Sequence, residues 1–147
     1  MSVLGELQPN KVFKYFEEIC SIPHGSRNLQ QISDYLVDFA KAHELKYRQD
    51  EDLNVIIWKD GSKGYEASEP VILQGHMDMV AVKEADCDKD MEKEGLDLEI
   101  NGDYISAKGT SLGGDDGIAV AYTLAVLDDE EMAHPPIEAI FTVNEEI

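Results

Sequence analysis

A chain of 147 residues suits one domain with a real hydrophobic core. Its 31 acidic residues against 12 basic ones give a formal net charge of -19, which argues against nucleic acid or an anionic membrane as partner. Cys20 and Cys87 form no CxxC pair or disulfide framework, the N-terminus lacks a basic start with an apolar stretch behind it, and no apolar run could span a bilayer; a soluble, cytoplasmic protein is expected.

In chain order, Val12, Phe13, Phe16 and Ile19 behind Pro9 predict a helix over residues 9–19, with proline in a favoured first-turn position. Pro23 and Gly25 then break the pattern, leaving His24 in a loop. Asn28 is suited to cap a second helix running to about Glu44, with Ile32, Leu36, Phe39, Ala40 and His43 along one stripe. The run Val55-Ile56-Ile57-Trp58 predicts a strand over 54–59, and Asp60-Gly61-Ser62 its turn. Residues 69–76 are apolar enough for a strand interior to a sheet. A charged loop over 84–95 leads to segments 96–100 and 104–107, which alternate about Asn101-Gly102 as a hairpin. Gly117 to Leu127 predicts a buried helix preceded by Asp115 and Asp116, and Ile137 to Val143 a final strand that delivers Glu145 and Glu146. Helices alternating with apolar strands predict an α/β fold with flanking helices, and the hairpin is expected to make its β-sheet mixed.

Three clusters fall where strands or loops meet the sheet edge. They are Gly75-His76-Met77-Asp78-Met79-Val80, Gly113-Gly114-Asp115-Asp116-Gly117 and Asn144-Glu145-Glu146. Imidazole and carboxylates are the ordinary ligand set of zinc, and a further carboxylate commonly orients the imidazole. Residues i and i+2 of a strand project to one side, so Asp78 can take the His76 ring proton while His76 holds metal. An aspartate ahead of a helix is also an ordinary N-cap, and a lone His-x-Asp an ordinary strand end. The ordered set of all three is much more specific than any one of them.

In these motifs, together with Phe16-Glu17-Glu18-Ile19, Ile22-Pro23-His24-Gly25-Ser26 and Gly109-Thr110-Ser111-Leu112, the sequence resembles the co-catalytic zinc peptidases, the family of aminoacylases, glutamate-releasing carboxypeptidases and peptidase T. Its likeness is greatest to the branch that cleaves Xaa-His dipeptides. The resemblance implies a zinc-exopeptidase-like domain with two zinc ions as cofactors, and manganese or cobalt could occupy the same oxygen-rich site. It implies that His76 ligates one zinc, Asp115 bridges both and Glu146 ligates the other. Asp78 would orient His76, and Glu145 would be the general base toward the attacking water. A cis peptide bond between Asp115 and Asp116 is implied as well. The family commonly has aspartate where Asn144 stands.

The family pattern also needs a further acidic ligand, a distant histidine and a second, substrate-binding domain, which these 147 residues do not contain. The expectation is therefore the N-terminal portion of a catalytic domain, with an incomplete site, weak zinc binding and negligible hydrolysis by itself, dipeptides or short peptides as substrate of the whole, and a homodimer. Two rival readings are a non-catalytic interaction fold that keeps the peptidase architecture and an acidic calcium-binding module. Asp86-x-Asp88-x-Asp90 begins like a calcium loop, but Met91 stands where the sharp turn needs glycine, and Asp97 replaces the bidentate glutamate.

Overall fold

The computed structural model describes residues 1–147. The first periodic stretch forms α1, Asn10–Cys20, with Pro9 just outside it at the N-cap. Val12, Tyr15, Phe16, Ile19 and Cys20 form its buried stripe. The second forms α2, Gln30–Ala42, shorter at both ends than the sequence spacing predicts. Asn28 does not cap it; its side-chain amide donates to the Glu92 carbonyl at 3.0 Å and ties this loop to the acidic segment. At the other end His43 is the capping residue, with Nδ1 on the Phe39 carbonyl (2.9 Å) and Nε2 on Asp128 (3.1 Å).

Six strands follow: β1 (Lys46–Gln49), β2 (Val55–Lys59), β3 (Val71–His76), β4 (Leu98–Asn101), β5 (Tyr104–Ala107) and β6 (Ile137–Thr142). The main sheet has the order β1-β2-β6-β3, while β4 and β5 pair only with each other. The mixed character of the sheet therefore does not come from the hairpin. It comes from β6, antiparallel to β2 on one side and parallel to β3 on the other. Strand β3 is also not interior: it is the sheet's edge, with Val71 and Ile72 43% and 59% exposed. Of its apolar run Val71-Ile72-Leu73, Leu73 is the residue that packs against the core. Strand β1 is too polar to be read as a strand from sequence, and its pairing with β2 holds it in place.

Helix α3 spans Gly114–Asp128, but Asp115 and Asp116 depart from helical φ/ψ, so the regular helix starts at Gly117 as its sequence predicts. It packs between α1 and β3, with Val120, Ala121, Leu124 and Leu127 buried. Its last carbonyls are closed by the Lys59 ammonium, which donates to Leu127 (2.9 Å) and Asp129 (2.6 Å). Under α2 and α3 lies the core face of the sheet, Val55, Ile57, Ile137, Ala139 and Phe141, each 3% exposed or less. Alternate residues Ile56, Trp58, Ile72 and Ile140 fall on the opposite face, as the period of two requires.

Candidate metal centre

Because β3 and β6 run parallel and adjacent, their carboxyl ends lie side by side, with His76 opposite Thr142. Chain leaving β3 carries Asp78 and chain leaving β6 carries Glu145 and Glu146 to the same edge. The start of α3 meets them there. Gly75 makes that approach possible: a Cβ on it would lie 3.1 Å from Asp116 Oδ2 and 3.4 Å from Ala119 Cβ. Asp116 uses that oxygen to accept the His76 backbone N–H at 3.2 Å, fastening α3 to the end of β3. The Asp115–Asp116 peptide bond is cis.

One donor atom from each of His76, Asp115 and Glu146 lies within 4.8 Å of the others. His76 Nδ1 is 3.0 Å from the Asp78 carbonyl oxygen. A carbonyl can only accept, so Nδ1 carries the hydrogen, and the neutral ring presents its Nε2 lone pair to the carboxylates. Nε2 is 3.1 Å from Asp115 Oδ1 and 3.8 Å from Glu145 Oε2. A lone pair and a carboxylate at that separation repel unless a proton or a cation stands between them. Burial disfavours the imidazolium, but the carboxylate of Asp115, the Asp78 carbonyl and the charges of Asp78 and Asp116 outweigh it and hold the His76 pKa above its ordinary value. One nitrogen and two carboxylate donors, partly open to solvent, could hold a metal ion.

His76 and Asp78 face one another, as the i, i+2 spacing predicts, but the carboxylate has further partners. The Asp78 side chain is fully buried, and its Oδ1 is 3.3 Å from His76 Nδ1, farther than its own carbonyl. The carboxylate mainly serves the other strand end: Oδ1 accepts the Glu145 N–H (3.0 Å) and Oδ2 the Glu146 N–H (3.1 Å). Oδ2 also accepts the Ser26 hydroxyl at 2.7 Å. Burial pushes the Asp78 pKa up, but these donors and His76 more than offset it, leaving the carboxyl below its ordinary range. Glu145 is exposed and bonded to nothing except through its backbone and the distant His76 contact.

Two contributors escaped the sequence reading. Ser26 carries no motif pointing to Asp78, which lies 52 positions away. Asp116 stood out as a possible helix cap and as half of the expected cis bond, not as an acceptor for the His76 backbone. His24 is buried, its Nδ1 bonded to the Ile22 carbonyl, and takes no place among the donors. Asp86, Asp88 and Asp90 do not form a converging donor group either; Asp90 instead accepts the Glu92 N–H within its own loop.

No protein-family model matches the chain. Over 146 residues it is 40% identical to the cytosol non-specific dipeptidase of Escherichia coli (strain K12), a match covering 99% of this chain and 30% of that protein. The aminoacylhistidine dipeptidase of Vibrio alginolyticus superposes with a TM-score of 0.95 at 39% identity, over 99% of this chain and 30% of that one. A Staphylococcus aureus tripeptidase shares the fold, with a TM-score of 0.75 at 24% identity over 97% of this chain and 38% of its own. The chain thus spans about 30% of the length of the dipeptidases it matches.

Proposed function

From its homology with these two dipeptidases along nearly its whole length, we propose that the chain forms part of the catalytic domain of a zinc-dependent dipeptidase acting on Xaa-His dipeptides. The observation that carries the proposal is the convergence of His76, Asp115 and Glu146, with Glu145 beside them. His76 and Glu146 would each hold one zinc, and Asp115, the most exposed of the three, would be shared by both. When bound, zinc supplies Lewis acidity that polarises the scissile carbonyl and favours deprotonation of water. Glu145, free of other partners, takes the proton of the attacking water as its oxygen bonds to the carbonyl carbon. It then gives that proton to the leaving amine as the C–N bond breaks. Asp78 fixes the imidazole and the backbone of both glutamates and takes no proton. A groove of about 790 Å³, lined by Ser26, Met79, Val80, Met91 and Glu146 among others, adjoins the centre and is of a size for a dipeptide.

Three donors are fewer than two zinc ions require. The 147-residue chain is therefore expected to bind zinc weakly and to hydrolyse dipeptides negligibly, with the remaining ligands and a substrate-binding domain contributed by a longer polypeptide. Cytoplasmic residence belongs to the same proposal and draws on the cytosolic name of the E. coli relative; no helix is long and apolar enough to cross a membrane. Homodimerisation belongs to it as well, supported by the open sheet face that carries Ile72 and Ile140.

The test is hydrolysis of an Xaa-His dipeptide by a polypeptide of the relatives' length that includes these residues. Activity lost to a chelator, restored by zinc and lowered about 10²–10⁴-fold by Glu145→Gln is the expected result. Chelator-resistant activity, or full activity of Glu145→Gln, would overturn the proposal.

A further inference from the structure

We propose that Ser26 is a positioning residue for the metal centre, acting through Asp78 on the backbone that carries Glu145 and Glu146; the inference rests on the metal-centre reading above. The Ser26 hydroxyl donates to Asp78 Oδ2 at 2.7 Å, while its other acceptor, the Met79 carbonyl, is 3.5 Å away and too distant to compete. The same Oδ2 receives the Glu146 N–H, and Oδ1 the Glu145 N–H. One buried carboxylate therefore joins a serine from the loop before α2 to the backbone of Glu145 and Glu146.

The segment around Ser26 is itself held from both sides. Met79 N–H donates to the His24 carbonyl and Ser26 N–H to the Met79 carbonyl, both at 3.1 Å. Next to it, Arg27 N–H donates to Asn144 Oδ1 at 2.8 Å. Arg27 and Asn144 both have left-handed backbones, φ 70° and 53°, which residues other than glycine seldom adopt. The loop thus grips Asn144, at the start of the turn, through Arg27, and the next two residues through Ser26 and Asp78.

A buried carboxylate rotates about its last side-chain bond unless its oxygens are directed. Asp78 is 1% exposed, so water cannot replace a missing donor freely. Without the Ser26 hydroxyl only the Glu145 and Glu146 amides and the longer His76 contact direct the carboxylate, so those two amides share an acceptor that is less firmly held. Glu146 then drifts relative to His76 and Asp115.

The experiment compares the wild-type chain with Ser26→Ala, Ser26→Thr and His76→Ala. It measures amide hydrogen exchange at Glu145 and Glu146 by NMR in the metal-free chain, and zinc affinity by isothermal titration. Ser26→Ala should accelerate exchange at both amides about tenfold and weaken zinc binding about tenfold. Ser26→Thr, which keeps the hydroxyl and can place its methyl toward the adjoining groove, should restore both. Unchanged exchange at both amides in Ser26→Ala would overturn the proposal, as would a Thr variant no better than Ala. If wild type and His76→Ala took up zinc alike, the metal-centre reading itself would fail, and the exchange data would still decide whether Ser26 positions the turn. Should Ser26→Ala not fold, Ser26→Cys, near-isosteric with a weaker donor, takes its place with the same expected direction.

Discussion

An imidazole whose Nδ1 hydrogen is committed to a carbonyl can offer a cation only its other nitrogen, and His76 aims that nitrogen at Asp115. The two glutamates beside it are adjacent in sequence but differ in place. Glu146 joins the converging donors, whereas Glu145 does not. Glu146→Gln is accordingly expected to weaken zinc binding by at least about tenfold, and Glu145→Gln to leave it near wild type. Equal effects in a zinc titration would contradict the separate roles. Gly75→Ala tests how the parts are brought together: its Cβ would press on Asp116 Oδ2 and Ala119, and a loss of about 1–3 kcal/mol is expected in denaturant melts. The three clusters, and the family resemblance they carry, singled out His76, Asp115 and Glu146 as one expected set, and the fold brings a donor atom from each together. Ser26 was not legible, because a hydrogen bond across 52 positions leaves no local pattern. The spacing of His76 and Asp78 was also incomplete as a guide. It placed the two side chains together but gave no hint that the carboxylate holds the opposite strand end.

At the scale of elements, three helices meet at Asp128 on the last turn of α3. It accepts from Tyr15 of α1 at 2.8 Å, lies 3.1 Å from His43 at the end of α2, and faces the Lys11 ammonium at 3.6 Å. Burial raises its pKa, but the Tyr15 hydroxyl, Lys11 and His43 together bring it below the ordinary value. With the folded-state pKa depressed, the unfolded chain takes up the proton first on acidification. The contribution of Asp128 is therefore complete above the unfolded-state value and disappears as pH falls through the folded-state value. Asp128→Asn should cost about 1–3 kcal/mol near neutral pH, with the difference from wild type shrinking in acid. Urea melts across that range check it; a difference independent of pH would refute the assignment. Beneath the helices, Phe141→Ala should cost about 3–5 kcal/mol, since the ring is fully buried among sheet and helix residues. Helix periodicity and the Asn101-Gly102 turn made most elements readable. What periodicity misses is lateral order. An apolar run such as Val71-Ile72-Leu73 reads alike at an edge and in the middle of a sheet, and Lys46 to Gln49 becomes a strand only because β2 offers a ladder.

Across the whole molecule, helices cover one face of the main sheet, while Ile56, Trp58, Ile72 and Ile140 line the other. Ile72 is 59% exposed at the free edge of β3. An open edge with apolar neighbours favours self-association. Sedimentation of the chain should reveal dimers, and Ile72→Lys should shift them toward monomer; a wild-type monomer at all concentrations would contradict this. Over nearly its whole length the chain is similar to two dipeptidases, and the chemistry proposed for it depends on whether one strand-end histidine gathers the carboxylates around a cation. Titrating zinc into the 147-residue chain beside His76→Ala asks that directly. Weak binding by the wild type that is lost in the variant is the predicted result, and identical behaviour of the two proteins would contradict a centre organised by His76.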